Sequence, residues 1–352
     1  MEFRKQIKFF ILVALSIALL SCETVSYYTQ AARGQLSIIL EREDIERLLG
    51  EEELEDELRR KFELVLELRE FAAEELALPV NDNYRTFVDV QREHVVWNVF
   101  AAPEFSTENV NWCYPIAGCV SYRGYFSELG ATRYAQRLSA EGYDVYTGGV
   151  DAYSTLGWFD DSLLSTIVDR VDYQLAGLIF HELAHQVVYL AGDTTFNESF
   201  ATAVEREGVR RWLQARGETE LQAEALLNSE RQAQFVAMVS TWRDEFDALY
   251  QQEIDVEQMR ERKQELQQQL RLTYEQLKLE WEGYVGYDDW FSRSLNNAQL
   301  STVSSYNDYV PAFDRMLLEN GGDLESFYLQ VGELSGQEEE SRSEIIDRLL
   351  RN

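Results

Sequence analysis

The chain is poor in histidine, cysteine, proline and basic residues. Its 352 residues include three histidines, three cysteines and four prolines. Lysine and arginine number 32 against 63 aspartates and glutamates, which gives a formal charge of −31. A surface this acidic repels a phosphate backbone and argues against nucleic acid as a partner. The hydrophobic share of 45% is ordinary for a globular protein and too high for a disordered one.

No apolar run is long enough to span a bilayer comfortably, which takes about 20 residues. Phe9–Leu20, the apolar run nearest the start, is shorter and follows three basic residues. A basic segment, a short apolar segment and a small residue are typical of a secretory signal. Leu19–Cys22 resembles a bacterial lipobox, which implies cleavage before Cys22 and lipid attachment to it. An ordinary signal peptide with an incidental cysteine is the alternative.

The other two cysteines, Cys113 and Cys119, are six residues apart. In an exported protein this spacing predicts a short disulfide loop. A pair of zinc-binding thiolates is the alternative, but no second Cys or His pair lies nearby to complete four ligands.

Two of the three histidines, His181 and His185, are four residues apart. On a helix this spacing places both imidazoles on one face, one turn apart. Glu182 lies beside them, and the His-Glu-x-x-His pattern is that of a helix-borne zinc site in metallopeptidases. The sequence therefore predicts one zinc ion per chain, with Glu182 as the general base that takes a proton from water and later gives it to the leaving amine.

A catalytic zinc site needs a third protein ligand and one open position. The metzincin pattern is excluded, because Val188 and Ala191 stand where that class has glycine and a ligand. Three nearby acids remain as candidates: Asp193, Glu198 and Glu205. Glu198 is favoured, because Asn197-Glu198 at the start of a helix resembles the third-ligand helix of gluzincins. Glu205 lies two turns, roughly 10 Å, further along the same helix.

The predicted fold is α+β and predominantly helical. We expect a zincin-like catalytic domain with a small β-sheet, the His-Glu-x-x-His helix and a following glutamate helix, and then long C-terminal helices. The predicted segments are a signal peptide (1–21), a tether (22–35), an N-terminal helical segment (36–80), the catalytic core (81–217) and a mostly helical C-terminal region (218–352), of which 290–334 returns to the active-site body.

Local signals refine the catalytic core. The metal helix is predicted from about Ser162 to Ala191, ending at Gly192, and the next helix from Glu198 to about Arg216 with Asn197 as N-cap. Ala152–Phe159 is predicted as a strand, either a sheet edge that binds substrate or a buried strand with a bulge at Gly157. Two tyrosines are candidate donors to the oxyanion of the reaction: Tyr153 and Tyr306.

Several segments together resemble the family of bacterial proteins described as "putative aminopeptidase", exported zinc peptidases of the gluzincin group. The segments that carry the resemblance are Trp112–Cys119, Tyr122–Phe126, Ala152–Phe159, His181–His185, Gly192-Asp193, Phe196–Ala201, Asn296–Ala298, Tyr306 and Val310–Phe313. The resemblance implies zinc at His181, His185 and Glu198, catalysis by Glu182 and a peptide substrate.

The function expected from the sequence is thus a zinc aminopeptidase of the bacterial cell envelope. A lipid at Cys22 would anchor it to the membrane, facing the periplasm or the exterior. A zinc endopeptidase is the alternative within the enzyme class. The alternative from another class is a non-catalytic envelope lipoprotein that acts as a scaffold through its acidic helices.

Overall fold

The structure is a computed structural model that describes residues 25–114, 118–153, 155, 159–304 and 308–351. The predicted signal peptide, Cys22 and Tyr306 lie outside these residues. Within them, no helix combines the length and the apolar character needed to cross a membrane.

Helices dominate the described residues, as the sequence predicts, and short strands lie in the first half of the chain. The helices are α1 (25–40), α2 (Ile45–Leu49), α3 (Asp56–Glu74), α4 (Glu128–Ala140), α5 (Ser165–Val168), α6 (Asp172–Ala184), α7 (Thr194–Arg216), α8 (Thr219–Tyr250), α9 (Val256–Glu280), α10 (Asp288–Phe291), α11 (Asn297–Ser304), α12 (Val310–Glu319), α13 (Leu324–Ser335) and α14 (Glu339–Arg351).

In the described parts of the chain, eight strands form three small sheets. They are β1 (Glu43–Asp44), β2 (Thr86–Val88), β3 (Val96–Pro103), β4 (Trp112–Tyr114), β5 (Gly118–Val120), β6 (Arg123–Tyr125), β7 (Tyr143–Val150) and β8 (Leu163–Leu164). The first sheet has the order β1-β2-β8, the second is an antiparallel β6-β3-β7 sheet, and β4 pairs with β5. The predicted disulfide joins Cys113 and Cys119 across this last pair.

The metal helix is shorter than its apolar pattern predicts. Leu163 and Leu164 form β8, parallel to β2, and the helix that carries His181 begins only at Asp172. It ends at Ala184 rather than at Gly192, with His185 as C-cap. A short apolar run is compatible with either a buried strand or a helix, and here pairing with a distant strand decides.

Two other local predictions are wrong. Residues 25–40 are helical, which the assignment of 22–35 to a tether did not anticipate. Residues 152, 153, 155 and 159 are not in a strand, and the rest of Ala152–Phe159 lies outside the described residues. The Thr155 amide instead donates to the Asp161 carboxylate, and the Thr155 hydroxyl donates to the Phe159 carbonyl. Local side-chain bonds of this kind replace a sheet partner.

The largest hydrophobic core surrounds the metal helix. Leu175, Ile179 and Leu183 of α6 are fully buried in it, and Phe200 of α7 is buried against Phe313 of α12. A second core fills the antiparallel α8–α9 hairpin and includes aromatic residues between 281 and 303. Burial of such a face, more than helix propensity, determines where a helix is stable. The apolar stripe of α6 therefore determines which face of the helix packs in the core and which face carries the two histidines.

Segment 290–304 lies against the sheet of the first half of the chain. Asn296 donates a side-chain hydrogen bond to the Val145 carbonyl, and Asn297 donates to the Pro103 carbonyl. Asn297 is fully buried, so these bonds satisfy polar groups that have no access to water. They tie the C-terminal helices to β3 and β7.

Candidate metal centre

Helix α6 presents His181 and His185 one turn apart. The backbone of His185 is still helical, with φ −60° and ψ −20°, although it is the C-cap. The two imidazole centroids are 5.0 Å apart, as the spacing of four residues predicts. The early end of the helix therefore leaves the histidine pair intact.

Glu198 reaches the histidines because the turn between α6 and α7 is tightly held. Asp193, not Asn197, is the N-cap of α7, and its side chain accepts a hydrogen bond from the Phe196 amide. Asn197 is 2% exposed, accepts a hydrogen bond from the Leu190 amide and donates to the Leu190 carbonyl. The prediction of Asn197 as N-cap is wrong, since Asn197 joins the end of the turn to the helix that carries Glu198.

The three predicted ligands converge. His181 Nε2 lies 3.3 Å from Glu198 Oε2, and His185 Nε2 lies 3.8 Å from the same oxygen. One ligand atom from each of the three residues lies within 4.8 Å of the others. Zinc ligands at about 2.0–2.2 Å in a tetrahedral array are roughly 3.3–3.5 Å apart. Two imidazoles and a carboxylate are also a donor set of catalytic zinc sites, so these residues fit the metal.

Glu205 lies behind His181, on the side away from Glu198. Its Oε2 is 3.0 Å from His181 Nδ1. A carboxylate on Nδ1 holds the proton there, which leaves Nε2 free as a metal ligand. Glu205 is therefore an orienting group for His181, a role that the sequence did not suggest. For His185, Nδ1 is buried and has no hydrogen-bond partner among the described residues.

Burial and the close carboxylates shift the pKa values of the cluster in opposite directions. Burial lowers the pKa of His181, but hydrogen bonds to Glu198 and Glu205 outweigh it and raise the pKa well above its usual value. For His185 burial dominates and lowers the pKa to about 4. Burial favours a raised pKa at Glu198, yet the histidines overcome this and the net pKa is lowered. Glu198 is thus anionic and His185 neutral, the forms in which these groups can hold zinc. The raised pKa of His181 favours its protonated form, so a metal ion that binds there has to displace a proton.

Glu182 occupies an acidic pocket next to the ligands. Its pKa is raised to about 8, mainly by burial; the charge of His181 opposes this, and the charges of Glu198 and Asp161 contribute to it. Asp161 is 7% exposed, and its backbone amide donates to the buried Asn83 side chain. Asn83 and Gln186 exchange hydrogen bonds in turn. A carboxyl group that is buried beside other acids binds a proton readily, which suits a general base.

One tyrosine that the sequence did not single out lies beside the cluster. Tyr122 has a raised pKa, first because of burial and then because of the charges of Glu198, Tyr189 and Glu182. Its phenol therefore lies within electrostatic range of both Glu198 and Glu182. In the sequence, Tyr122 belongs to one of the segments that carry the family resemblance, and nothing in its local pattern predicts an interaction with Glu198 or Glu182.

The disulfide hairpin lies against the turn that follows the metal helix. Gly118 has φ +73°, and a Cβ atom on it would lie 2.7 Å from the Gly192 backbone nitrogen. Only glycine allows both this conformation and this approach. Contact between the hairpin and the turn brings Tyr122, three residues after Cys119, to the side of the molecule where the charge of Glu198 affects it.

Two other candidates from the sequence are not part of the cluster. The Tyr153 hydroxyl donates to Gln35 Oε1, and its ring packs on Phe126. Asp193 caps α7 and pairs with Arg342 at 3.3 Å. Tyr306 lies outside the described residues.

A cavity of about 1,080 Å³ opens beside the cluster. His181, Glu182 and Glu205 form part of its wall, and α6, α7, α8 and α12 enclose it. A cavity of this size is large enough for several residues of a peptide.

Comparison with known proteins identifies the family. Residues 26–346 match the family described as "Putative aminopeptidase". No curated protein and no solved structure matches the chain significantly. The family's name suggests a peptidase. Since the match covers most of the sequence, the chain belongs to this "Putative aminopeptidase" family.

Proposed function

We propose that the chain is a zinc-dependent peptidase, and an aminopeptidase in the first instance. The observation that supports this best is the convergence of His181, His185 and Glu198 next to a half-buried Glu182. The family name supports the aminopeptidase class. The large cavity beside the cluster would also admit an internal segment of a peptide, which keeps an endopeptidase as the second candidate.

The side chains of the site have separate tasks in this proposal. Zinc in such a site supplies activation of water and polarisation of the peptide carbonyl. Glu182 takes the proton of the attacking water and passes it to the leaving amine. Glu205 keeps His181 in the tautomer that binds metal. Tyr122 donates a hydrogen bond to the oxygen that becomes negative during the attack.

Metal content and hydrolysis test the proposal together. Purified protein should contain about one zinc per chain, and Glu182→Gln should keep the metal and lose hydrolysis. Peptides with free and with blocked N-termini separate the two candidates, since an aminopeptidase needs the free amine. An endopeptidase cleaves both kinds of peptide. Protein that holds no zinc, or full activity in Glu182→Gln, would contradict the proposal.

We further propose that the mature protein is attached to the membrane of a bacterial cell envelope by a lipid at Cys22. The proposal is supported by the order of basic, apolar and small residues before Cys22. Cys22→Ser should move the protein from the membrane fraction to the soluble fraction. Unchanged membrane association would argue against lipidation.

A further inference from the structure

We propose that Arg206 binds a carboxylate group of the peptide substrate in the cavity that His181 and Glu182 also line. The proposal rests on the peptidase function above and adds a chemical class to its substrate. Arg206 lies on α7, the helix that carries Glu198, and its side chain forms part of the cavity wall.

Arg206 differs from the other two arginines of this wall. Arg170 pairs with Asp151 at 2.6 Å, and Arg210 pairs with Glu207 at 2.7 Å. Arg206 has no carboxylate oxygen within 4.0 Å among the described residues, and its buried Nε has no hydrogen-bond partner there. Its donors remain available to a ligand.

One acidic residue of the cavity wall interacts with Arg206 without forming an ion pair with it. Asp314 lines the same cavity and interacts electrostatically with Arg206, but the two make no ion pair. Desolvation raises the pKa of Asp314, and the charge of Arg206 opposes this only in part. Burial also raises the pKa of Tyr287, a phenol on the same wall, and the charge of Arg206 again opposes this. A guanidinium flanked by a phenol and partly desolvated is a good receptor for a carboxylate, which it binds through two parallel hydrogen bonds.

The position of Arg206 also suggests where the carboxylate lies on the substrate. Arg206 is eight positions after Glu198, which is about 12 Å along the helix axis. An extended peptide advances about 3.3–3.6 Å per residue. The arginine side chain can shorten or lengthen this distance, so the carboxylate lies roughly two to four residues from the scissile bond. It is therefore either the C-terminus of a short peptide or an acidic side chain in a longer one.

Calorimetry of peptide binding with zinc present tests the proposal. The mature protein carries Glu182→Gln, so that the peptide is bound but not hydrolysed. The first pair of probes is tetra-alanine with a free and with an amidated C-terminus. The second pair is an amidated octapeptide with glutamate or glutamine at its fourth position. We expect the carboxylate member of one pair to bind about tenfold or more tightly than its partner, a typical effect of a charged hydrogen bond. The pair that shows the difference identifies the source of the carboxylate.

Arg206→Gln should abolish that ratio, and Arg206→Lys should reduce it, because lysine keeps the charge but loses the two-fold hydrogen bonding. Arg210→Gln is the matched control, since Arg210 lies one turn away and is paired with Glu207. It should leave the ratio unchanged. If Arg206→Gln does not fold, the Arg206→Lys ratio decides.

Equal binding within both pairs, or a ratio that is as large in the Arg206 variants as with Arg206 in place, would overturn the proposal. The strongly negative protein should repel an added carboxylate, so a preference for it requires a specific positive group. Binding with the expected ratio but no hydrolysis by the wild type would contradict only the peptidase function. Hydrolysis without any carboxylate preference would contradict only the role of Arg206.

Discussion

Asn197 is hydrogen bonded through its side-chain amide to both main-chain groups of Leu190. It accepts from the Leu190 N–H at 2.7 Å and donates to the Leu190 carbonyl at 2.8 Å. The side-chain amide thus makes the pair of hydrogen bonds that the backbone of a neighbouring strand would make, and it closes the turn between α6 and α7. This contact fixes Glu198, the next residue, with respect to the histidines of α6.

Loss of this contact should destabilise the protein. Asn197→Ala leaves two main-chain groups of a partly buried turn without partners, and we expect about 2–3 kcal/mol lower stability in denaturant unfolding. Thr195→Ala is the control, because Thr195 lies in the same helical turn and makes no side-chain hydrogen bond to the described residues. Equal effects of the two changes would mean that the amide contact contributes little.

Zinc affinity should distinguish Glu198 from Glu205. Glu198→Ala removes a ligand, whereas Glu205→Gln only weakens the orientation of His181. For a group behind a ligand we expect a loss of about 10- to 100-fold in affinity, and for Glu198 a larger one. Competition with a chelator measures both dissociation constants. The reverse order would make Glu205 the third ligand.

Tyr122→Phe should slow the reaction without loss of metal. If the phenol donates to the oxyanion, its removal should lower kcat by about 100-fold or more, with little change in KM. Zinc content and thermal unfolding of the variant show whether the site is intact. A larger loss of kcat in Tyr153→Phe than in Tyr122→Phe would return this role to the residue chosen from the sequence.

Stability should depend on pH through Asp172, the first residue of α6. Burial opposes ionisation of Asp172, but its bonds to Arg60 and Lys61 outweigh this and lower its pKa. A pKa lowered by folding adds stability above the unfolded pKa of about 3.9, and that stability is lost as the pH falls through the folded value. Lys61 is 4% exposed, so Asp172→Asn leaves a buried charge unpaired.

We expect Asp172→Asn to cost about 2 kcal/mol at pH 7, a value reduced for the partial exposure of the pair. The difference from the wild type should shrink below about pH 4. Glu57→Gln is the control, because Glu57 also binds Arg60 but is exposed, and it should leave stability nearly unchanged. Denaturant unfolding at several pH values measures both variants. A difference independent of pH would exclude ionisation of Asp172 as the cause.

The three candidate metal ligands illustrate what could be predicted locally. The spacing of His181 and His185 places them together on any helix. A helix that carries Glu198 is also predicted locally, although it begins at Thr194 and not at Glu198. The extent of α6 could not be predicted in this way. Leu163 and Leu164 have the same apolar character as the helical residues, and only their pairing with β2, about 75 residues earlier, makes them a strand.

The sequence by itself determined the mostly helical fold, the disulfide pair and the three residues that can hold a metal, because each of these follows from spacing along the chain. Only the tertiary structure decided the surroundings of that cluster. Tyr122 from a strand end and Glu205 from the next helix approach it through the packing of elements distant in sequence. The same packing leaves Arg206 unpaired among the described residues of the cavity. Such contacts depend on which faces the buried core turns toward each other, and this information is spread over the whole chain.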